Sequence, residues 1–133
     1  MLFPNLPVKD LERSKAFYAA LGFTFNAQFT DANAACVVIN DLTSVMLLRH
    51  EFWRTFTTKP IPDAHTVAGV FMAYSVDSRE EVVQQVEIAL ASGGSAASPQ
   101  QDHGFMFGWS FHDPDGHHWE PFWMNPEHVQ PAT

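Results

Sequence analysis

The sequence predicts an α+β fold: two βαβββ modules whose curved, mixed sheets pair around a cleft. Two observations lead there. Val8-x-Asp10 and Val76-x-Ser78 each run into a helix-forming stretch, 68 residues apart, and each stretch precedes three strand candidates. The chain has 133 residues, 46% of them apolar, which suits one domain or two small halves with a shared interior. One such unit alone buries too little. Facing its copy, it covers one sheet face and leaves a concavity between the sheets.

Residues 2–8 read as a strand, placed at an edge by Pro4 and Pro7. Asp10 caps a helix over 11–21. Leu11, Ser14, Phe17, Tyr18 and Leu21 share an arc of about 120° at 100° per residue. Gly22 stops that helix at the C′ position. Residues 23–29 alternate weakly and read as a strand, and 30–33 as a turn. Residues 34–39 and 44–49 are strands joined at Asn40-Asp41. Residues 51–66 differ: Lys59-Pro60-Ile61-Pro62-Asp63 cannot pair in a sheet. Phe52, Trp53 and Phe56 make this connection apolar enough for a lid or crossover.

The second module spans 67–124 as the first spans 1–50. Residues 67–76 form its first strand. Ser78 and Glu81 make a capping box, and Val82, Val83, Val86, Ala89 and Leu90 share the helix face. Gly93-Gly94 ends the helix; following a helix instead of opening one, it cannot cradle a phosphate. Strands follow at 95–98, 105–111 and 117–124, with a loop to His103. Residues 125–133 form a tail.

A formal charge of −8 speaks against nucleic acid and anionic membranes, whose phosphates call for a basic face. It suits a cationic ligand and equally an ordinary acidic protein. The single cysteine, Cys36, excludes an internal disulfide and points to a reducing, cytoplasmic setting. Set among Ala35, Val37 and Val38, it reads as a packing residue. No signal peptide or apolar run of membrane-spanning length is evident.

The most informative run is Phe111 to Trp123. Asp113-Pro114-Asp115-Gly116 is a turn by residue type, flanked by aromatic strands. The outgoing strand carries Glu120 between Trp119 and Pro121. A carboxylate in so apolar a setting needs a partner. The run Asp113-Pro114-Asp115-Gly116-His117-His118-Trp119-Glu120 resembles the C-terminal hallmark of the vicinal oxygen chelate superfamily. That group includes glyoxalase I, extradiol dioxygenases and the fosfomycin- and bleomycin-resistance proteins. Its N-terminal hallmark resembles the stretch from Asn5 to Ser14 with Phe17-Tyr18 and Leu21-Gly22-Phe23. Phe29-Thr30-Asp31, Ala34-Ala35-Cys36 and Gly104-Phe105-Met106 resemble the branch labelled as predicted lactoylglutathione lyases. The resemblance spans nearly the whole chain.

It implies a divalent metal held by His, Gln or Glu at four strand positions. Here those positions fall on Phe3, Leu47, Phe71 and Glu120. Phenylalanine and leucine donate no lone pair to a cation, so no metal cofactor is expected. A slip by one would bring Met46 or Leu48 to the second position, again without a donor of the family's type. Among His50, His103, His112, His117 and His118, only His118 shares a strand face with Glu120. A rebuilt site from that pair and a loop histidine is the competing expectation, against surface or turn histidines.

Glu120 is then a general base or a ligand anchor, or a structural carboxylate bonded to Asn5, Tyr74 or backbone. Asn5 shares a face with Phe3 and can orient a ligand. Trp109 stands where the resemblance implies an arginine. The ligand-binding set is therefore Asn5, Leu47, Trp53, Phe71, Phe107, Trp109 and Glu120, with Trp119 and Trp123 as further aromatics. Two functions compete. One is a bleomycin-resistance-like protein holding a small aromatic or cationic molecule without metal. The other is a glyoxalase-like lyase or isomerase with Glu120 as base or ligand. The resemblance also implies a homodimer.

Overall fold

The computed structural model describes residues 1–128, and the chain divides into two compact units, 1–67 and 68–133. In the first unit, β1 (Asn5–Val8) leads into α1 (Leu11–Ala20), then β2 (Thr24–Phe25), β3 (Ala34–Asn40), β4 (Thr43–Arg49) and a short α2 (His50–Trp53). Its sheet runs β1-β4-β3-β2, with β1 parallel to β4 and the other neighbours antiparallel. The local chemistry explains the elements. The Asp10 side chain accepts from the Arg13 amide and opens α1. Gly22, at φ 95°, supplies the left-handed residue that ends it. The core holds Leu6, Val8, Phe17, Tyr18, Ala35, Val37, Val45 and Leu47, with Cys36 fully buried beside them.

The second unit contains β5 (Phe71–Ser75), α3 (Arg79–Ala91), β6 (Ser95–Ala96), β7 (Gln101–Asp102), β8 (Met106–Gly108), β9 (Phe111–His112) and β10 (His118–Met124). Central β10 pairs with β5 in parallel and, on its other side, with β8 and β9 antiparallel. β6 pairs with β9 and β7 with β8. Taken as one interrupted strand each, β8/β9 and β6/β7 give the order of the first unit again. Both units are therefore βαβββ modules with mixed sheets.

Several boundaries differ from expectation. Residues 23–29 are not one strand: the Asn26 side chain accepts from the Gln28 amide and turns Ala27–Phe29 into a 3-10 helix. Strand β1 starts at Asn5, with only an isolated bridge from Leu2 to Thr43 before Pro4. Residues 67–70 stay outside β5. In α3 the buried ridge is Val82, Val86 and Ala89. Val83 is half-buried and Leu90 exposed, because both sit on the flank of that ridge. The connection over 51–66 begins inside a helix, α2, which packs on β4 and β1. Residues 125–128 are held against Phe105: the Asn125 amide donates to its carbonyl and His128 stacks on its ring. The rest of the expected tail, 129–133, lies outside the described residues.

Candidate functional site

The turn before β10 follows from its sequence. The Asp113 carboxylate, 1% exposed, accepts from the amides of Asp115 (3.0 Å) and His117 (2.8 Å). Gly116 takes φ 90°. This fixes the register in which β10 leaves the turn, and with it the side each residue faces. Trp119 and Pro121 are buried, and their partners Met72 and Tyr74 share that side. It is the α3 side, because the Tyr74 hydroxyl donates to Gln85 at 2.6 Å. Burial pushes the Tyr74 phenol well above its ordinary range. His118, Glu120 and Phe122 point the other way.

On that other face a concavity of about 350 Å³ lies within the second unit. Its apolar lining is Pro99, Met106, Trp109, Pro121, Phe122 and Met124, and its polar groups are Ser98, Gln101, Ser110 and Glu120. It forms beside the two strand interruptions. Residues 109–110 separate β8 from β9, and 97–100 separate β6 from β7. The gaps are joined by one bond, from the Ser98 amide to the buried Ser110 hydroxyl at 2.8 Å. The Trp109 amide still reaches the Pro121 carbonyl at 3.2 Å, so its indole is presented at a break without losing the backbone bond. Gly108 leaves the floor open: a Cβ there would meet the Phe122 Cβ at 3.7 Å, an ordinary contact.

Glu120 takes its hydrogen bond from His118, Nε2 to Oε1 at 2.8 Å, rather than from Asn5 or Tyr74. Asn5 donates its amide to the Phe3 carbonyl at 2.7 Å. The His118 side chain is 14% exposed and the Glu120 side chain 44%. The imidazole is packed between the Phe71 ring (4.7 Å) and the His112 ring (5.5 Å).

Of the expected ligand-binding residues, the concavity brings together Trp109 and Glu120 only. Phe107 lies on the α3 side. It pairs with Trp123, and the Arg79 guanidinium sits over both rings at 4.8 and 5.6 Å. Arg79 also bonds Asp102, whose carboxyl is held below its ordinary range by the Gly104 amide and then by Arg79. Phe71 is 62% exposed and covers His118. Trp53 is half-buried in α2 of the first unit. Leu47 is fully buried and pairs with Leu6, the counterpart of Tyr74, on the helix side. Met46, opposite Asn5, occupies the place that Glu120 holds opposite Ala73. By strand register, Met46 and not the neighbouring Leu47 is the counterpart of Glu120. Sequence reasoning missed Ser98, Gln101, Met106, Ser110, Phe122 and Met124. For Phe122 and Met124 the signal would have been their alternation with Glu120 along one strand face.

A resident divalent metal does not fit these residues. Phe3 and Phe71 offer no donor, Met46 only a thioether, and Glu120 a single carboxylate already engaged by His118. Among the described residues no group of three or more His, Cys, Asp or Glu is placed to hold a metal ion. Nor is any helix among them long and apolar enough to cross a membrane.

An α+β unit built twice as βαβββ, with an apolar concavity against the last strand, defines the glyoxalase/bleomycin resistance/dioxygenase fold, and known proteins agree. Residues 1–40 match the family described as bleomycin resistance protein-like N-terminal. A hypothetical protein from S. aureus is 29% identical, with TM-score 0.80 over 92% of this chain and 91% of its own. A glyoxalase/bleomycin resistance protein/dioxygenase family enzyme from Burkholderia phytofirmans is 16% identical, with TM-score 0.76 over 92% and 96%. A bleomycin resistance determinant encoded on the transposon Tn5 is 20% identical, with TM-score 0.63 over 93% and 97%. No curated protein sequence matches the chain.

Proposed function

We propose that this chain is a binding protein of the glyoxalase/bleomycin-resistance type. It takes a small, largely apolar molecule, aromatic or cationic, in the concavity beside Glu120 and uses no resident metal. The observation that carries this reading is the lining itself. Trp109, Phe122, Met106 and Met124 line a concavity of about 350 Å³ together with one acidic residue, Glu120, the size and composition of a small-molecule site. The acidic charge of −8 supports it, as do Phe3 and Phe71, apolar residues at positions where the resemblance implies metal ligands.

Quenching of Trp109 emission by neutral and cationic aromatic compounds tests the reading. The expected result is saturable quenching that disappears in Trp109→Phe and weakens strongly in Gly108→Leu, whose side chain would fill the floor. No saturation at about millimolar ligand in the wild type would refute it.

The second reading, a lyase or isomerase acting on a small carbonyl compound with Glu120 as base, draws on the His118–Glu120 bond, which orients the carboxylate. It predicts deuterium wash-in next to the carbonyl of small aldehydes and ketones, lost in Glu120→Gln. A reducing, cytoplasmic setting agrees with the lone buried thiol. A homodimer belongs to the same reading, and exposed Leu2, Phe3, Phe29 and Leu42 offer apolar surface for it. Sedimentation of purified protein checks the dimer.

A further inference from the structure

We infer that the concavity takes a linear amphiphile lying along β10, its cationic head at Glu120 and its hydrocarbon tail at Met106 and Met124. The inference rests on the binding reading above and narrows its ligand class. It comes from the strand register. β10 pairs with β8 as Phe122 to Gly108 and Met124 to Met106, and with β9 as Trp119 to Phe111. The same register, carried through the interruption, puts Ser110 opposite Glu120. Residues directly opposite in an antiparallel pair face the same side. The face turned away from α3 is therefore a ladder of three rungs, and the side chains or backbone of all three line the concavity.

The rungs differ in chemistry. The first holds Glu120 and Ser110, with the Ser98 amide bonded to the Ser110 hydroxyl at 2.8 Å. The second holds Phe122 and Gly108, with Gln101 beyond Gly108 on the edge strand β7. The third holds Met124 and Met106. His103 lies next to Met106, but its ring packs 6.4 Å from that of Phe105 and is not part of the lining. At roughly 3.3 Å per residue, the first rung lies about 13 Å from the third. Polarity thus falls along the strand, from acid and hydroxyls, through an aromatic ring and an open floor, to thioethers.

A ligand with the same gradient fits best. An ammonium head at the first rung meets a counter-charge. At the third rung it would find only thioethers, which are weak acceptors. A hydrocarbon tail suits that rung, because methionine is flexible and polarizable and moulds itself to apolar shapes. The reversed placement loses both matches.

Calorimetry on the full chain with butylamine, hexylamine, octylamine and 8-amino-1-octanol tests this. In the wild type, affinity should rise about threefold for each methylene added between butylamine and octylamine. The terminal hydroxyl of 8-amino-1-octanol should weaken binding about fivefold relative to octylamine, because it arrives among the thioethers. Met124 is 43% exposed at the strand end, so Met124→Gln should leave the fold intact. That variant should close the gap, with octylamine about fivefold weaker and the amino alcohol held as before. Glu120→Gln should weaken both about tenfold and leave their ratio unchanged, as expected of a change at the head. If no amine binds at about millimolar concentration, the binding reading itself fails. If the amines bind but chain length has no effect, the concavity stands and the lengthwise placement is overturned. An octylamine-to-amino-alcohol ratio that Met124→Gln does not move overturns it as well.

Discussion

Ser110→Ala is the sharpest probe of how the concavity is held open. The substitution removes the hydroxyl that joins the two strand interruptions through the Ser98 amide at 2.8 Å. Ser110 is buried, 3% exposed, while Ser98 is exposed. The amide left behind is therefore reached by water, and the loss should approach the net value of one hydrogen bond, about 1 kcal/mol, instead of the larger penalty for a stranded buried group. Alanine fills nearly the same space, so no cavity contribution adds to this. In urea unfolding the midpoint should fall with an unchanged slope. The melting temperature should drop by about 4 °C. Amide exchange at Ser98 should quicken about fivefold, and ligand affinity should weaken because Pro99 and Trp109 lose their common tether. An unchanged Ser98 exchange rate would refute the reasoning. A loss above about 3 kcal/mol would do so as well, since it would mean that the amide is not rewetted.

Two further outcomes follow from other positions. Tyr74 titrates above its ordinary range in the fold because burial disfavours the phenolate. A raised value means stability is full below the free-tyrosine pKa, about 10, and is lost as pH rises beyond it. Wild-type stability should therefore fall more steeply above that pH than that of Tyr74→Phe, measured by urea unfolding across an alkaline pH series. Gly22→Ala should cost about 1–2 kcal/mol in the same assay. The cause is conformational, as φ is 95° and no atom beyond the adjoining residues lies within 4 Å of the added methyl.

Much of the scaffold was legible because local chemistry dictates it. Asp10 and Ser78 mark helix entries by bonding to amides three residues on. The 113–116 turn is specified by its own side chain. The site was less legible. Residues 105–111 are apolar almost throughout, so no alternation announced the break at Trp109 and Ser110. Along β4, Val45, Met46, Leu47 and Leu48 are all apolar; only the pairing of Asn5 with Met46 decides which row faces away from the helix. Phe107 lies under Arg79 because the start of α3, well before β8 in the chain, lies over that strand, a long-range contact that periodicity cannot encode. Glu120 stood out as a buried-looking carboxylate. Its partner is two residues away on the same strand, whereas the expected structural partners, Asn5 and Tyr74, bond elsewhere.

The lone thiol of Cys36 lies sealed in the middle of β3, in the first unit, while three of the four tryptophans, Trp109, Trp119 and Trp123, belong to the second. Nature has thereby furnished the unmodified chain with two separate clocks. Reaction of the thiol with a soluble disulfide reagent times the opening of one half, and intrinsic emission reports chiefly on the other. A single sample can reveal whether the halves come apart together or in turn.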